Sequence, residues 1–109
     1  MDDKVIRLIW DLINLVHLQG IYVGQWMDEY SREEVCEAFL NNMKDFANDY
    51  NIKYSNDLEY YRESNEDELY ELQDRMAYDL YESIRNHIIR EILSYTQKEK
   101  EIDDALQRD

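Results

Sequence analysis

From Lys4 to Leu18, apolar residues occupy positions 5, 6, 8, 9, 10, 12, 13, 15, 16 and 18, and the polar positions 4, 7, 11 and 14 form one narrow stripe at helical spacing, bordered by His17. A helix that is apolar on nearly every other side is normally the buried centre of its fold. The pattern predicts that it starts after Asp2 or Asp3, either of which can cap it. Gly20 and Gly24 interrupt it. They read as a helix end and turn, or as a close helix contact through small-xxx-small spacing.

Ser31-Arg32-Glu33-Glu34 has the form of a capping box, with Ser31 as N-cap and Glu34 reaching back. The helix that follows places Val35, Phe39, Met43, Phe46 and Tyr50 on one face. It should stop near Asn51, which tolerates the left-handed conformation found just past a helix end. Residues 51–65 are polar and turn-prone, with a short helix holding Leu58 and Tyr61 predicted behind an Asn56–Glu59 cap. Asn65 with Glu68, or Ser64 with Asp67, then opens a last helix. Its stripe is Leu69, Leu72, Met76, Leu80, Ile84, Ile88 and Ile92, and no Gly or Pro stops it. The buried spine expected from these faces is Ile9, Leu12, Val16, Phe39, Met43, Leu72, Met76 and Leu80.

The distal half of the last helix carries a second pattern. Ile88, Ile92, Tyr95, Glu99, Ile102 and Leu106 step by four and three, as a coiled-coil seam does. The seam predicts a homodimer through Ile88, Ile92, Tyr95 and Ile102. The alternative for 96–109, which is mostly polar, is a frayed tail. The whole chain, 1–109, reads as a single helical domain: an all-α, compact bundle of three to four helices with a long C-terminal helix.

Composition supports that class. There is no proline and only two glycines in 109 residues, too few tight-turn formers for a sandwich or barrel. One cysteine excludes an internal disulfide framework and fits a reducing compartment. Charge changes the picture more. The formal net charge is −14. Residues 28–82 hold 17 acids against 5 bases, whereas 1–27 and 83–109 are each nearly neutral. Acids also recur one helical turn apart, as in Glu33 and Glu37, Asp45 and Asp49, Asp67 and Glu71. Like charges so placed cost a few tenths of a kcal/mol per pair. A chain of this sign is repelled by nucleic acid and by anionic lipid, so the expected partner is a basic surface, not nucleic acid itself or a membrane. No secretory n-region or spanning segment is evident, which makes the cytoplasm the expected location.

Tyr50, Tyr54, Tyr60, Tyr61, Tyr70 and Tyr78 interleave with the acids. Tyrosine is enriched at interfaces, and arginine stacks on its face. An acidic surface rich in tyrosine suits a groove rich in Lys and Arg. The residues expected to meet it are Glu33, Glu37, Asp45, Asp49, Asp57, Glu59, Tyr60, Glu63, Glu66, Asp67, Glu71 and Asp74. In size, helical character, lack of disulfides and charge, the chain resembles phage-encoded DNA-mimic proteins, the Ocr-type antirestriction and anti-CRISPR inhibitors. That resemblance implies a non-enzymatic inhibitor, often dimeric, in the DNA-binding groove of a restriction or CRISPR-type nuclease of the host cytoplasm. It rests on no diagnostic motif and departs from the pattern where 83–109 is nearly neutral. The alternative is an acidic adaptor or immunity-type interaction protein.

Two further patterns bear on chemistry. Glu33-Glu34-Val35-Cys36-Glu37 and Glu71-Leu72-Gln73-Asp74 have the forms EExxE and ExxD, which resemble the helical pyrophosphohydrolases of the MazG type. That resemblance would make Glu33, Glu34, Glu37, Glu71 and Asp74 ligands of Mg²⁺. The two motifs stand farther apart than is usual there, and such matches arise readily among 26 acids. Cys36 has no supporting context as a nucleophile and is expected to pack beside Val35 and Phe39 as a buried thiol. His17 and His87 read as interface or core-edge residues. With one Cys and two His far apart, and no glycine-rich phosphate loop, neither a metal nor another cofactor is expected.

Overall fold

The computed structural model describes residues 3–25, 30–62 and 68–107. They form four helices with no strand among the described residues: α1 (Asp3–Gln25), α2 (Arg32–Asp49), α3 (Glu59–Arg62) and α4 (Leu69–Gln107). Local chemistry sets both ends of α2 and the start of α3. The Glu34 amide donates to Ser31 Oγ at 3.2 Å, the first half of the expected box. At the other end of α2, Asn51 is left-handed with φ 56. The Ile52 amide then reaches back to the Ala47 carbonyl at 2.8 Å, closing the helix in Schellman fashion. α3 is capped by Asp57, whose carboxylate accepts from the Glu59 amide at 2.9 Å. The cap is therefore one residue later than the Asn56 predicted.

α1 departs most from expectation. It runs through Gly20 and Gly24 without a break. Each mid-helix glycine costs roughly 1 kcal/mol relative to alanine. The turn is held by Tyr22, which is buried and stacks on Phe39 with ring centroids 4.4 Å apart. Nor is α1 the centre of the fold. Val5, Leu8, Leu15 and Tyr22 point inward, and Ile9 and Leu12 are only half-buried. Val16, placed in the spine by sequence, is 47 % exposed.

The central element is α4. Leu72, Met76, Ala77, Leu80, Ile84 and Ile88 are buried along it, and α1 and α2, which also touch each other, both pack against that face. Arg32 lies over the Tyr70 ring and Tyr50 meets His87 edge-on, so α2 runs parallel to α4. Lys4 lies over Tyr95 and Tyr22 bonds Asp74, so α1 runs antiparallel to it. From α2, Val35, Cys36, Phe39, Leu40, Met43 and Ala47 complete the core. Leu69, expected in the stripe of α4, is 47 % exposed at its first turn.

Over this stretch the bundle is compact, but the molecule is not. Its extents are 64 × 31 × 18 Å and its radius of gyration is 17.9 Å, against about 13 Å for a globular chain of this length. The cause is the length of α4, 39 residues. Its last turns continue as helix to Gln107, with Leu106 74 % exposed.

The distal seam is used within the chain. Ile88 is fully buried, and Ile92 and Tyr95 pack against the same core. Ile88 therefore has no surface left for a second copy, which corrects its assignment to a dimer interface, whereas Ile92 and Tyr95 are half-buried and keep part of their surface exposed. Ile102 lies outside the described side chains.

Candidate acidic interface

The outer face of α2 carries the acids that the sequence singled out. Glu33, Glu37, Asp45 and Asp49 are all exposed, as is Glu34 beside them. With Asn41, the first four form an unbroken i, i+4 row, one residue per turn. Steps of about 6 Å carry the row roughly 24 Å along the helix. That is the rise of about seven base pairs at 3.4 Å each. Successive members are offset by about 40° around the axis, so the row winds across the exposed arc instead of running straight. The buried residues Val35, Phe39, Met43 and Ala47 on the opposite arc fix its orientation.

Asp57, Glu59 and Tyr60 are exposed at and before α3. Asp57 is engaged as the α3 cap, and Glu59 pairs with Arg62 one turn on, at 2.5 Å. Tyr60 is 63 % exposed and is the one candidate tyrosine presented to solvent. Glu63, Glu66 and Asp67 lie outside the described residues. Glu71 is half-buried on α4.

Asp74 does not belong to the outer surface. It is half-buried and accepts the Tyr22 hydroxyl, 52 positions away in sequence. Cys36 lies on the other side of that hydroxyl, with its Sγ at 3.1 Å. Burial, followed by the bond to Asp74, pushes the Tyr22 hydroxyl far above its ordinary range. Burial likewise pushes the Cys36 thiol up, so this fully buried cysteine is packing material, not a nucleophile.

The same arrangement recurs. Tyr50 donates to Asp11 Oδ2 at 2.5 Å, and burial, then that bond, raises its hydroxyl. Burial raises Tyr61, with the Asp79 carboxylate as its bonded neighbour. A bond to Glu68 raises Tyr70. Tyr78 and Tyr81 sit with Tyr22 and Phe39 in one aromatic cluster. Four of the ten tyrosines, Tyr22, Tyr50, Tyr61 and Tyr70, thus turn their hydroxyls to carboxylates, Tyr22 and Tyr61 from buried positions. Three of these pairings join residues distant in sequence and so could not be read from it; Tyr70 with Glu68 is local.

No metal centre is assembled by the EExxE and ExxD motifs. Among the described residues, no group of three or more Asp, Glu, His or Cys could hold a metal ion. Asp74 is turned towards Tyr22, away from the outer face that presents Glu33 and Glu37. His87 Nε2 lies 3.3 Å from Glu91, at the edge of the core, and His17 is exposed. An open groove of about 730 Å³ lies between the N-terminal half of α1, the end of α2 and Glu91 of α4. It mixes Lys4 and Arg7 with Asp11, Asp49 and Glu91, so it presents no single charge to a ligand. No helix among the described residues is long and apolar enough to cross a membrane.

Compared with protein-family models, with curated proteins and with solved structures, the chain matches none of them.

Proposed function

We propose that the chain is a non-enzymatic inhibitor that occupies the basic nucleic-acid-binding groove of a restriction or CRISPR-type nuclease, with α2 standing in for a strand of DNA. The observation that carries this reading is the winding row Glu33, Glu37, Asp45 and Asp49, exposed along its length and fixed by the buried arc behind it. Because the row sits on a folded helix, its backbone needs no ordering at binding, and only the side chains bear that cost. The row steers association with a basic groove over long range.

The test is inhibition of DNA cleavage by a panel of such nucleases, read with and without excess non-substrate duplex. Inhibition of at least one enzyme should be relieved by the competing duplex and weakened by salt, because exposed charges are screened over about 8 Å at physiological ionic strength. Glu37→Lys with Asp45→Lys should raise the inhibitory concentration at least about tenfold, by inverting the centre of the row. Glu101→Lys with Asp104→Lys, in the nearly neutral distal part, should change it little. Binding that neither duplex nor salt disturbs, or equal losses for the two double variants, would refute the reading.

A further inference from the structure

We infer that α1 is the contact helix of a two-fold, antiparallel homodimer. The inference is independent of what the acidic face binds. In the single chain, α1 buries one side and leaves the other in water. Ile6 is 41 % exposed, Trp10 60 %, Ile13 50 %, Val16 47 %, Ile21 39 % and Val23 50 %. Scaled by full residue areas, these leave on the order of 600 Å² of side-chain surface, at the upper limit of the largest apolar patch on an ordinary monomer. Two such faces together can remove at most about 1,200 Å², the area at which stable specific interfaces begin.

The spacing is that of a helix-pairing seam. Ile6, Ile9, Ile13, Val16, Gly20 and Val23 step by 3, 4, 3, 4 and 3, a second a/d repeat on the side away from α4. An antiparallel pair centred between Ile13 and Val16 sets each of these against the other. It sets Ile6 against Val23, and Ile9 with Trp10 against Gly20. That last match is one of shape. A side chain added at Gly20 or Gly24 would meet nothing within 4 Å in the single chain, so the space there is open to receive the large residues of the second copy. The contact is isologous and closes on itself.

Charge leaves this face as the approach open to a second copy. The chain carries −14 overall, so most approaches of one copy to another are repulsive. α1 holds two acids and two bases, Asp3, Asp11, Lys4 and Arg7, and all four line the groove on its α2 side. Among the described residues, His17 is the only titratable side chain along the apolar face. Pairing through α1 also leaves both α2 rows free.

Sedimentation equilibrium of the full chain tests this. The wild type should sediment at twice 13.4 kDa by about 10 μM, a modest affinity for such an area. Ile13→Asp with Val16→Asp should be monomeric with an unchanged helical signal, since neither residue is in the core. Gly20→Leu gives a second reading of opposite sign. It should raise the stability of the isolated helix yet weaken association at least about tenfold, because it fills the space needed by Ile9 and Trp10. A wild type that is monomeric at about 100 μM overturns the inference and leaves the face to a different protein. A double-Asp variant that stays dimeric, or Gly20→Leu with unchanged association, also overturns it.

Discussion

Removing a single oxygen atom, by Tyr22→Phe, isolates the polar contact that ties α1 to both other long helices. The ring stays. Its stacking on Phe39 at 4.4 Å and its edge contact with Tyr78 at 6.0 Å do not involve the hydroxyl. The loss is therefore the bond to Asp74 and the contact with Cys36 Sγ at 3.1 Å. Tyr22 is 3 % exposed and Asp74 half-buried, so water replaces the donor incompletely. A hydrogen bond to a charged group contributes about 1.5–3 kcal/mol, and a partner left unsatisfied keeps that cost. Tyr22→Phe should thus destabilise by about 1.5–3 kcal/mol, or roughly 6–15 °C in Tm for a domain of this size. Urea unfolding followed by circular dichroism gives the number. A double-mutant cycle with Asp74→Ala assigns it, and a coupling of at least about 1 kcal/mol is expected. A Tyr22→Phe variant within about 0.5 kcal/mol of wild type, or a cycle with no coupling, would refute the account.

Two further outcomes follow from the same packing. Tyr22, Tyr50 and Tyr61 all hold their protons more tightly folded than unfolded. Their contribution is therefore complete below pH about 10, the unfolded tyrosine value, and declines above it by about 1.4 kcal/mol per pH unit for each group that ionises only on unfolding. A chemical-denaturation series across pH 7–11 should show this fall, less steep in Tyr22→Phe; stability that is flat to pH 11 would contradict it. Leu15→Ala, at a residue with no exposed surface, should cost about 2–5 kcal/mol, and a thermal melt matching wild type would mean that the inward face of α1 is wrongly placed.

Much of the fold is legible where the signal is local. Ser31 and Asn51 mark the ends of α2 by chemistry contained within a few residues. The stripe from Leu72 to Ile88 identifies the inner face of α4 because that helix has one long apolar row. The reading fails where an element has two apolar faces. α1 carries both Leu8–Leu12–Leu15 and Ile9–Ile13–Val16, and periodicity alone cannot say which meets the protein. A three-four repeat is equally silent on whether its partner is intramolecular, which is why Ile88, Ile92 and Tyr95 read as a dimer seam. In the candidate interface, the α2 acids were found by spacing and exposed by burial of the opposite arc. Asp74 belongs to the same charge pattern but is withdrawn by Tyr22, a residue 52 positions away.

The pairing of carboxylates with tyrosine hydroxyls divides labour in a way that lysine or arginine could not. A cationic partner would anchor Asp11 and Asp74 but cancel their charge, and its grip would vary with dissolved salt. A phenol is neutral, so each acid is tethered and still counts in the total. These tethers therefore do not require the acids to be neutralised. Ionic strength can govern what the molecule sticks to, and relieve the repulsion among its acids, without loosening the tethers. The outward acids of α2, which carry none of the tethers described, are then free to drift in sequence as a partner changes, on a scaffold that need not change with them.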